Sequence, residues 1–244
     1  MSVDKTYSIF LLCICSLIVS CTRRSNNYSC VPIRVQPRTT QAPIKQPVVT
    51  EVSTPKIINE TLTASEVFEK FNSAVFMIFT SNGISGFQGS GFFVNSNGLA
   101  VSNYHVFKGT GVGWESIKLS NGKECKVREV VAKDEDNDFI LFYVDITDEC
   151  NYIPISNRTK KVGEKVYTIG SPRGLENTFS SGEISQFRGD NVIQINAPID
   201  HGSSGGALIN EYGEVIGITS AGLDDSGANL NFAMDIDVVK PYIR

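Results

Sequence analysis

Histidine is scarce in this chain: its 244 residues hold two, His105 and His201, and a single tryptophan. With so few imidazoles, no HExxH pair and no paired CxxC, the usual scaffolds for a zinc site are missing, and neither a metal nor another cofactor is expected. Positive charge is not in excess either. The formal net charge is −4, so nucleic-acid binding has no overall electrostatic support. An apolar run long enough to cross a bilayer comfortably is also lacking, since the longest, Tyr7 to Val19, falls short of the ~20 residues required. What remains is an ordinary globular balance, 41% hydrophobic and 20% charged, in a chain long enough for a full core.

The short apolar run has its own meaning. Residues 1–20, with Lys5 ahead of the run, read as an export signal. It ends in Leu17-Ile18-Val19-Ser20-Cys21, which resembles a bacterial lipobox and makes Cys21 the expected lipidation site. A plain secretory signal or a buried helix are the alternatives. Residues 21–60 then read as a flexible linker: five of the nine prolines (Pro32, Pro37, Pro43, Pro47 and Pro55) lie there, without helical or strand period. The linker would hold a domain of residues 61–244 off a membrane.

That domain opens with Thr63-Ala64-Ser65-Glu66, a capping box, and with Val67, Phe68, Phe71 and Val75 at helical spacing. From there the pattern turns to short β runs. Strands are expected near 75–80, 87–94, 98–102, 115–120, 124–133 and 138–144, and again near 164–169, 177–187, 191–196, 206–210, 214–220 and 229–234. Asn95-Ser96-Asn97-Gly98 and Asn121-Gly122 supply turns. No helix of useful length separates the runs, so the expected fold is all-β: two six-stranded antiparallel barrels with a short N-terminal helix and a closing C-terminal helix near Asp235–Ile243.

One stretch carries chemistry, Asp200-His201-Gly202-Ser203-Ser204-Gly205-Gly206-Ala207-Leu208. It is a serine between glycines at a tight turn, leading into an apolar strand. Such a turn can present a hydroxyl together with backbone N–H groups, the two things acyl transfer needs. By itself it is equally a Gly/Ser-rich loop. Upstream lie His105, in Ser102-Asn103-Tyr104-His105-Val106, and Asp138, in Asp136-Asn137-Asp138-Phe139-Ile140-Leu141. Each is unremarkable alone. The order His, Asp, Ser, each at the edge of a β element, is the informative part.

These segments resemble the HtrA/DegP-like trypsin-fold serine proteases over about residues 63–240. The motifs are Gly89-Ser90-Gly91-Phe92, the histidine and aspartate stretches, Ile169-Gly170-Ser171-Pro172-Arg173-Gly174-Leu175, Ser181-Gly182-Glu183-Ile184-Ser185, the nucleophile segment and Asn231-Phe232-Ala233. The resemblance implies a serine endopeptidase acting on unfolded or misfolded polypeptides in the cell envelope or periplasm. Ser204 would be the nucleophile, His105 the base, Asp138 its orienting acid, and the N–H groups of Gly202, Ser203 and Ser204 the oxyanion donors. It also implies an association into homotrimers through N-terminal aromatics, for which Phe68 and Phe71 are available unless the core claims them.

Departures refine the expectation. His201 stands where the family commonly has proline, too near Ser204 on the same loop to act as base. Ser203 replaces the aspartate of digestive trypsin-like enzymes, so activation by a newly cut N-terminus is not expected, and ordering of the loop around 171–182 is. Pro198 and Gly217-Ile218-Thr219 argue against selection for basic or acidic side chains. Ile199, Thr219, Ser220 and Ala221 would line a modest pocket for small or medium aliphatic residues. No PDZ domain is expected between the resembling segment and Arg244. Cys125 and Cys150 flank the Asp138 region and either form a disulfide or remain two thiols. The rival readings are a catalytically silent trypsin-fold lipoprotein that binds peptides, a hydrolase of other esters or amides, and a structural envelope protein. Asn59-Glu60-Thr61 and Asn157-Arg158-Thr159 would be glycosylation sequons if the source were eukaryotic.

Overall fold

A computed structural model of the chain describes residues 60–110, 113–171, 177–220 and 230–243. The expected signal, the linker up to residue 59, Cys21 and Ala221 lie outside the described residues.

The capping box forms as read. Thr63 N–H donates to Glu66 Oε2 at 2.7 Å and Glu66 N–H to Thr63 Oγ1 at 3.3 Å, starting helix α1, Ala64–Phe71. Val67 and Phe71 turn inward, and Phe68 packs edge-on against Phe179 at 5.8 Å between ring centroids. Phe71 is therefore core, and Phe68 is partly covered.

The first half of the domain forms one antiparallel sheet of seven strands: β1 Val75–Ser81, β2 Gly86–Phe93, β3 Leu99–Ser102, β4 Ser116–Lys118, β5 Glu124–Cys125, β6 Val127–Asp134 and β7 Phe139–Val144. Their order is β5-β4-β1-β2-β3-β7-β6. The two edge strands are separated in the chain by Lys126 alone, so the sheet must curl until its edges approach. The expected strand 124–133 is thus one stave broken in two, pairing first with β4 and then with β7. One strand cannot pair with both neighbours in the same register while the sheet twists, and the Lys126 ammonium fastens the break by donating to the carbonyls of Gly113 and Glu115.

The second half closes fully. β8 Lys165–Gly170, β9 Thr178–Arg188, β10 Val192–Ile195, β11 Ala207–Asn210, β12 Val215–Ser220 and β13 Asn231–Asp235 form a six-stranded barrel in the order β10-β13-β12-β11-β8-β9. The closing segment is helical but tight: two 3-10 turns, Ile236–Val238 and Lys240–Tyr242. Asp235 caps the first through Asp237 N–H at 2.9 Å, and Pro241 has no N–H with which to extend an α-helix.

Apolar packing knits the halves together. One cluster joins Val67, Phe71, Phe92, Leu141, Ile169, Ile209 and Ile218, drawn from α1 and both sheets. A second fills the first sheet around Phe76, Phe93 and Phe142, and a third fills the closed barrel around Ile184, Ile193 and Leu208. No described helix is long and apolar enough to cross a membrane. Cys125 and Cys150 are free thiols, and the Cys150 thiol donates to the Asn95 carbonyl at 3.4 Å.

Candidate active site

His105 sits on α2, Tyr104–Phe107, a single turn that follows β3 after the buried cap residue Asn103. The first N–H groups of any helix lack intrahelical acceptors. Here the carboxylate of Asp138 supplies one. Asp138 Oδ1 accepts the His105 backbone N–H at 2.9 Å, and Asp138 Oδ2 meets His105 Nδ1 at 2.7 Å. Two oxygens of one acid thus fix both the backbone and the ring of the same histidine, leaving Nε2 on the outer side. Asp138 reaches this position by taking φ +44°, a left-handed conformation that aspartate tolerates better than most residues. Asn103 Nδ2 holds its carbonyl at 2.9 Å.

Ser204 is placed by different means. It lies on the turn between β10 and β11, 9% exposed, and its backbone is tied to the first sheet: Ser90 N–H donates to the Ser204 carbonyl at 2.8 Å. Ser90 belongs to β2, beside Gly89. A Cβ at Gly89 would lie 2.6 Å from Val106 Cγ2 and 3.1 Å from the Ser204 carbonyl oxygen. The absent side chain at position 89 therefore lets the histidine helix and the serine turn meet over the same strand. Gly205, at φ +88°, presses still closer, for a Cβ there would sit 2.2 Å from the Ser90 carbonyl oxygen.

The turn has a definite shape. Ser203 N–H donates to the Asp200 carbonyl at 3.0 Å, and Gly202 takes φ +94° at the third position, the type II pattern. Ser203 N–H is consequently spent. Of the three N–H groups expected to face substrate, it is the one engaged within the turn. The N–H groups of Gly202 and Ser204 have no acceptor among the described residues. Nor does any hydrogen bond among the described residues join the Ser204 hydroxyl to the His105 imidazole, a bond often long before substrate arrives.

The residues expected to line a pocket divide. Ile199 is half-buried against the core of the closed barrel and Ser220 is half-exposed. Thr219 is 1% exposed, and its hydroxyl donates to the Ser203 carbonyl at 2.7 Å, so it braces the turn. His201 is exposed, with its backbone N–H on Asp200 Oδ1 at 2.7 Å. Reading the sequence alone did not assign a role to Ser90. The only signal was a hydroxyl between two glycines, Gly89 and Gly91. Among the described residues no group of three or more His, Cys, Asp or Glu side chains could hold a metal ion.

Two curled antiparallel sheets, with a histidine–acid pair on one and a glycine-flanked serine on the other, define a comparison class. The family model described as a trypsin-like peptidase domain matches residues 89–218.

The chain belongs to the trypsin-like peptidase domain family.

Curated relatives of the family carry serine-protease names. The probable periplasmic serine endoprotease DegP-like of Rhizobium meliloti is 34% identical over 172 residues, covering 64% of this chain and 33% of that protein. The mitochondrial serine protease HTRA2 of Drosophila willistoni is 32% identical over 184 residues, covering 69% and 41%. The crystal structure of the serine endoprotease from Yersinia pestis superposes with a TM-score of 0.66 at 27% identity, over 75% of this chain and 65% of that one. The chain spans about a third of the length of the first of these curated relatives.

Proposed function

We propose that this trypsin-like domain is a serine endopeptidase working through His105, Asp138 and Ser204. The Ser204 hydroxyl attacks the scissile carbonyl while His105 Nε2 takes its proton. The resulting oxyanion accepts hydrogen bonds from the N–H groups of Gly202 and Ser204. Collapse breaks the C–N bond, His105 returns the proton to the leaving amine, and water then releases the acyl group by the same steps in reverse. Asp138 fixes the tautomer that keeps Nε2 able to accept, and stabilises the imidazolium once formed. The observation that carries this reading is the double hold of Asp138 on His105, ring and backbone, opposite a serine turn with two unspent N–H groups.

The substrate we assign is unfolded polypeptide, cut after small or medium aliphatic residues, with Ile199 and Ser220 as pocket wall. Several relatives are named as periplasmic proteases, and that together with residues 1–21 supports a place in the cell envelope, held by lipid on Cys21. A homotrimer would bring several such sites together. A second reading has one observation behind it. The missing Ser204–His105 hydrogen bond would suit a catalytically silent protein that binds peptides by strand addition. A fluorophosphonate probe separates the two. Covalent labelling of the chain that disappears in Ser204→Ala supports the peptidase, and an unlabelled wild type supports the silent binder.

A further inference from the structure

The serine turn is held at two successive carbonyls by hydroxyls from opposite sides of the molecule. Ser90, on β2 of the first sheet and fully buried, donates its Oγ to the Gly202 carbonyl at 2.8 Å. Thr219, on β12 of the closed barrel, donates its Oγ1 to the Ser203 carbonyl at 2.7 Å. The peptide between 202 and 203 is thereby pinned at both ends, its N–H on Asp200 and its C=O on Ser90. The peptide between 203 and 204 is pinned at its carbonyl alone, by Thr219 and by Gly206 N–H at 2.9 Å. A peptide N–H points opposite to its C=O. Holding the Ser203 carbonyl on Thr219 therefore decides where Ser204 N–H points.

We propose that Thr219 and Ser90 are positioning residues, a pair of buried hydroxyls that keep the nucleophile turn in the one form able to receive an oxyanion. This rests on the peptidase reading above and reassigns Thr219 from the pocket wall. Ser90 has a second contact that gives the pair an input. Its Oγ also accepts Ser171 N–H at 2.9 Å, and Ser171 Oγ in turn accepts Asn177 N–H at 3.4 Å. Gln88 Nε2, from the same strand, donates to the Ser171 carbonyl at 2.6 Å. Ser171 and Asn177 thus connect to the turn through the Ser90 hydroxyl, and displacing Ser171 would free that hydroxyl's second lone pair and loosen its aim at Gly202.

Thr219→Val tests this with almost no change of shape, since it removes the hydroxyl alone. Turnover would be followed on peptides that differ only at the cleaved residue, together with the pH–rate profile and thermal unfolding. The expected result is a fall in kcat of about 10–100-fold, the scale at which one oxyanion donor begins to be lost. The same factor should apply to every peptide, with KM, the ranking of peptides and the pH midpoint unmoved, and with Thr219→Ser restoring the rate. Ser90→Ala should lower kcat in the same way. Thr219→Val turning over at the wild-type rate would overturn the proposal, and so would a change in peptide ranking, which would return Thr219 to the pocket. If Ser90→Ala does not fold, Thr219→Val decides alone. A wild-type chain inert to the fluorophosphonate probe would instead sink the peptidase reading, so the two failures are told apart.

Discussion

The two sides of the site are built on different principles. On the first sheet, function-bearing atoms are held by one another: Asp138 grips the His105 ring and the His105 backbone directly. On the closed barrel, Ser204 is held entirely through main chain, by the Ser90 N–H, by the Asp200–Ser203 turn and by hydroxyls on neighbouring carbonyls. A side-chain pair of this kind needs only that two segments approach. A turn of the second kind needs every peptide plane set correctly, with glycine wherever backbones touch. The acid–base half should therefore fail through chemistry and the nucleophile half through shape.

Asp138→Asn should produce the largest effect short of removing the nucleophile. The amide still fits but favours the wrong imidazole tautomer, and peptide hydrolysis at pH 7 is expected to fall by about 10⁴-fold with thermal unfolding nearly unchanged. Gly205→Ala is the matching lesion on the other side. It adds a side chain at φ +88° against the Ser90 carbonyl, and we expect a loss of about 2–5 kcal/mol in urea unfolding together with activity. If Gly205→Ala kept both, the description of the turn as shape-limited would be wrong.

Much of this contrast follows what could be read from the chain. Strand positions were legible because the first and second sets of apolar runs alternate with clear turns, and Asn95 and Gly98 do fold back as expected, with Asn95 Oδ1 accepting Asn97 and Leu99 N–H groups at 3.0 Å. His105, Asp138 and Ser204 stand out in the sequence because their residue types in that chain order suit acyl transfer, and the structure brings the first two into contact. The break at Lys126 was not legible, since pairing partners are set by sheet curvature rather than by local pattern. The clamp was not, because Ser90 and Thr219 act on carbonyls 112 and 16 residues away, and any serine or threonine in a strand looks alike before those carbonyls arrive. The closing segment is helical as expected, and its 3-10 pitch was not legible, because Pro241 removes an N–H that an α-helix there would use.

A smaller effect lies far from both halves. Lys160, 8% exposed at its side chain, bonds Asp235 at 2.7 Å and Asp237 at 2.9 Å. Burial alone would lower the Lys160 value, but the bonds and charges of Asp235 and Asp237 outweigh it and raise it. For Asp237, burial would raise the value, yet Lys240 and Lys160 together bring it below the usual carboxylate range. A depressed acid lends stability above its unfolded value and loses it as pH falls through the folded one. A raised lysine lends stability below its unfolded value and loses it as pH climbs through the folded one. The network should hold fully from about pH 5 to pH 9 and weaken below about pH 4. Lys160→Met should cost about 2–4 kcal/mol in urea unfolding at pH 7 by stranding Asp235, while the folded remainder keeps its turnover per site.

The smallest effect concerns the thiols. Burial raises the values of both Cys125 and Cys150, so neither thiolate is abundant near neutrality. Dithiothreitol should leave the unfolding midpoint within about 1 °C, and iodoacetamide should modify neither of these two cysteines in the folded chain at pH 7 over minutes.

In the proposed peptidase, one hydroxyl on a main-chain turn, paired with a histidine held by an acid, cuts peptide bonds. The most direct measurement is the digestion of unfolded casein by the wild-type chain beside Ser204→Ala, with thermal unfolding of both in parallel. The account predicts steady fragmentation by the wild type, and none by a variant that unfolds at the same temperature. Equal digestion by the two chains, or none by a wild type that is fully folded, would contradict it.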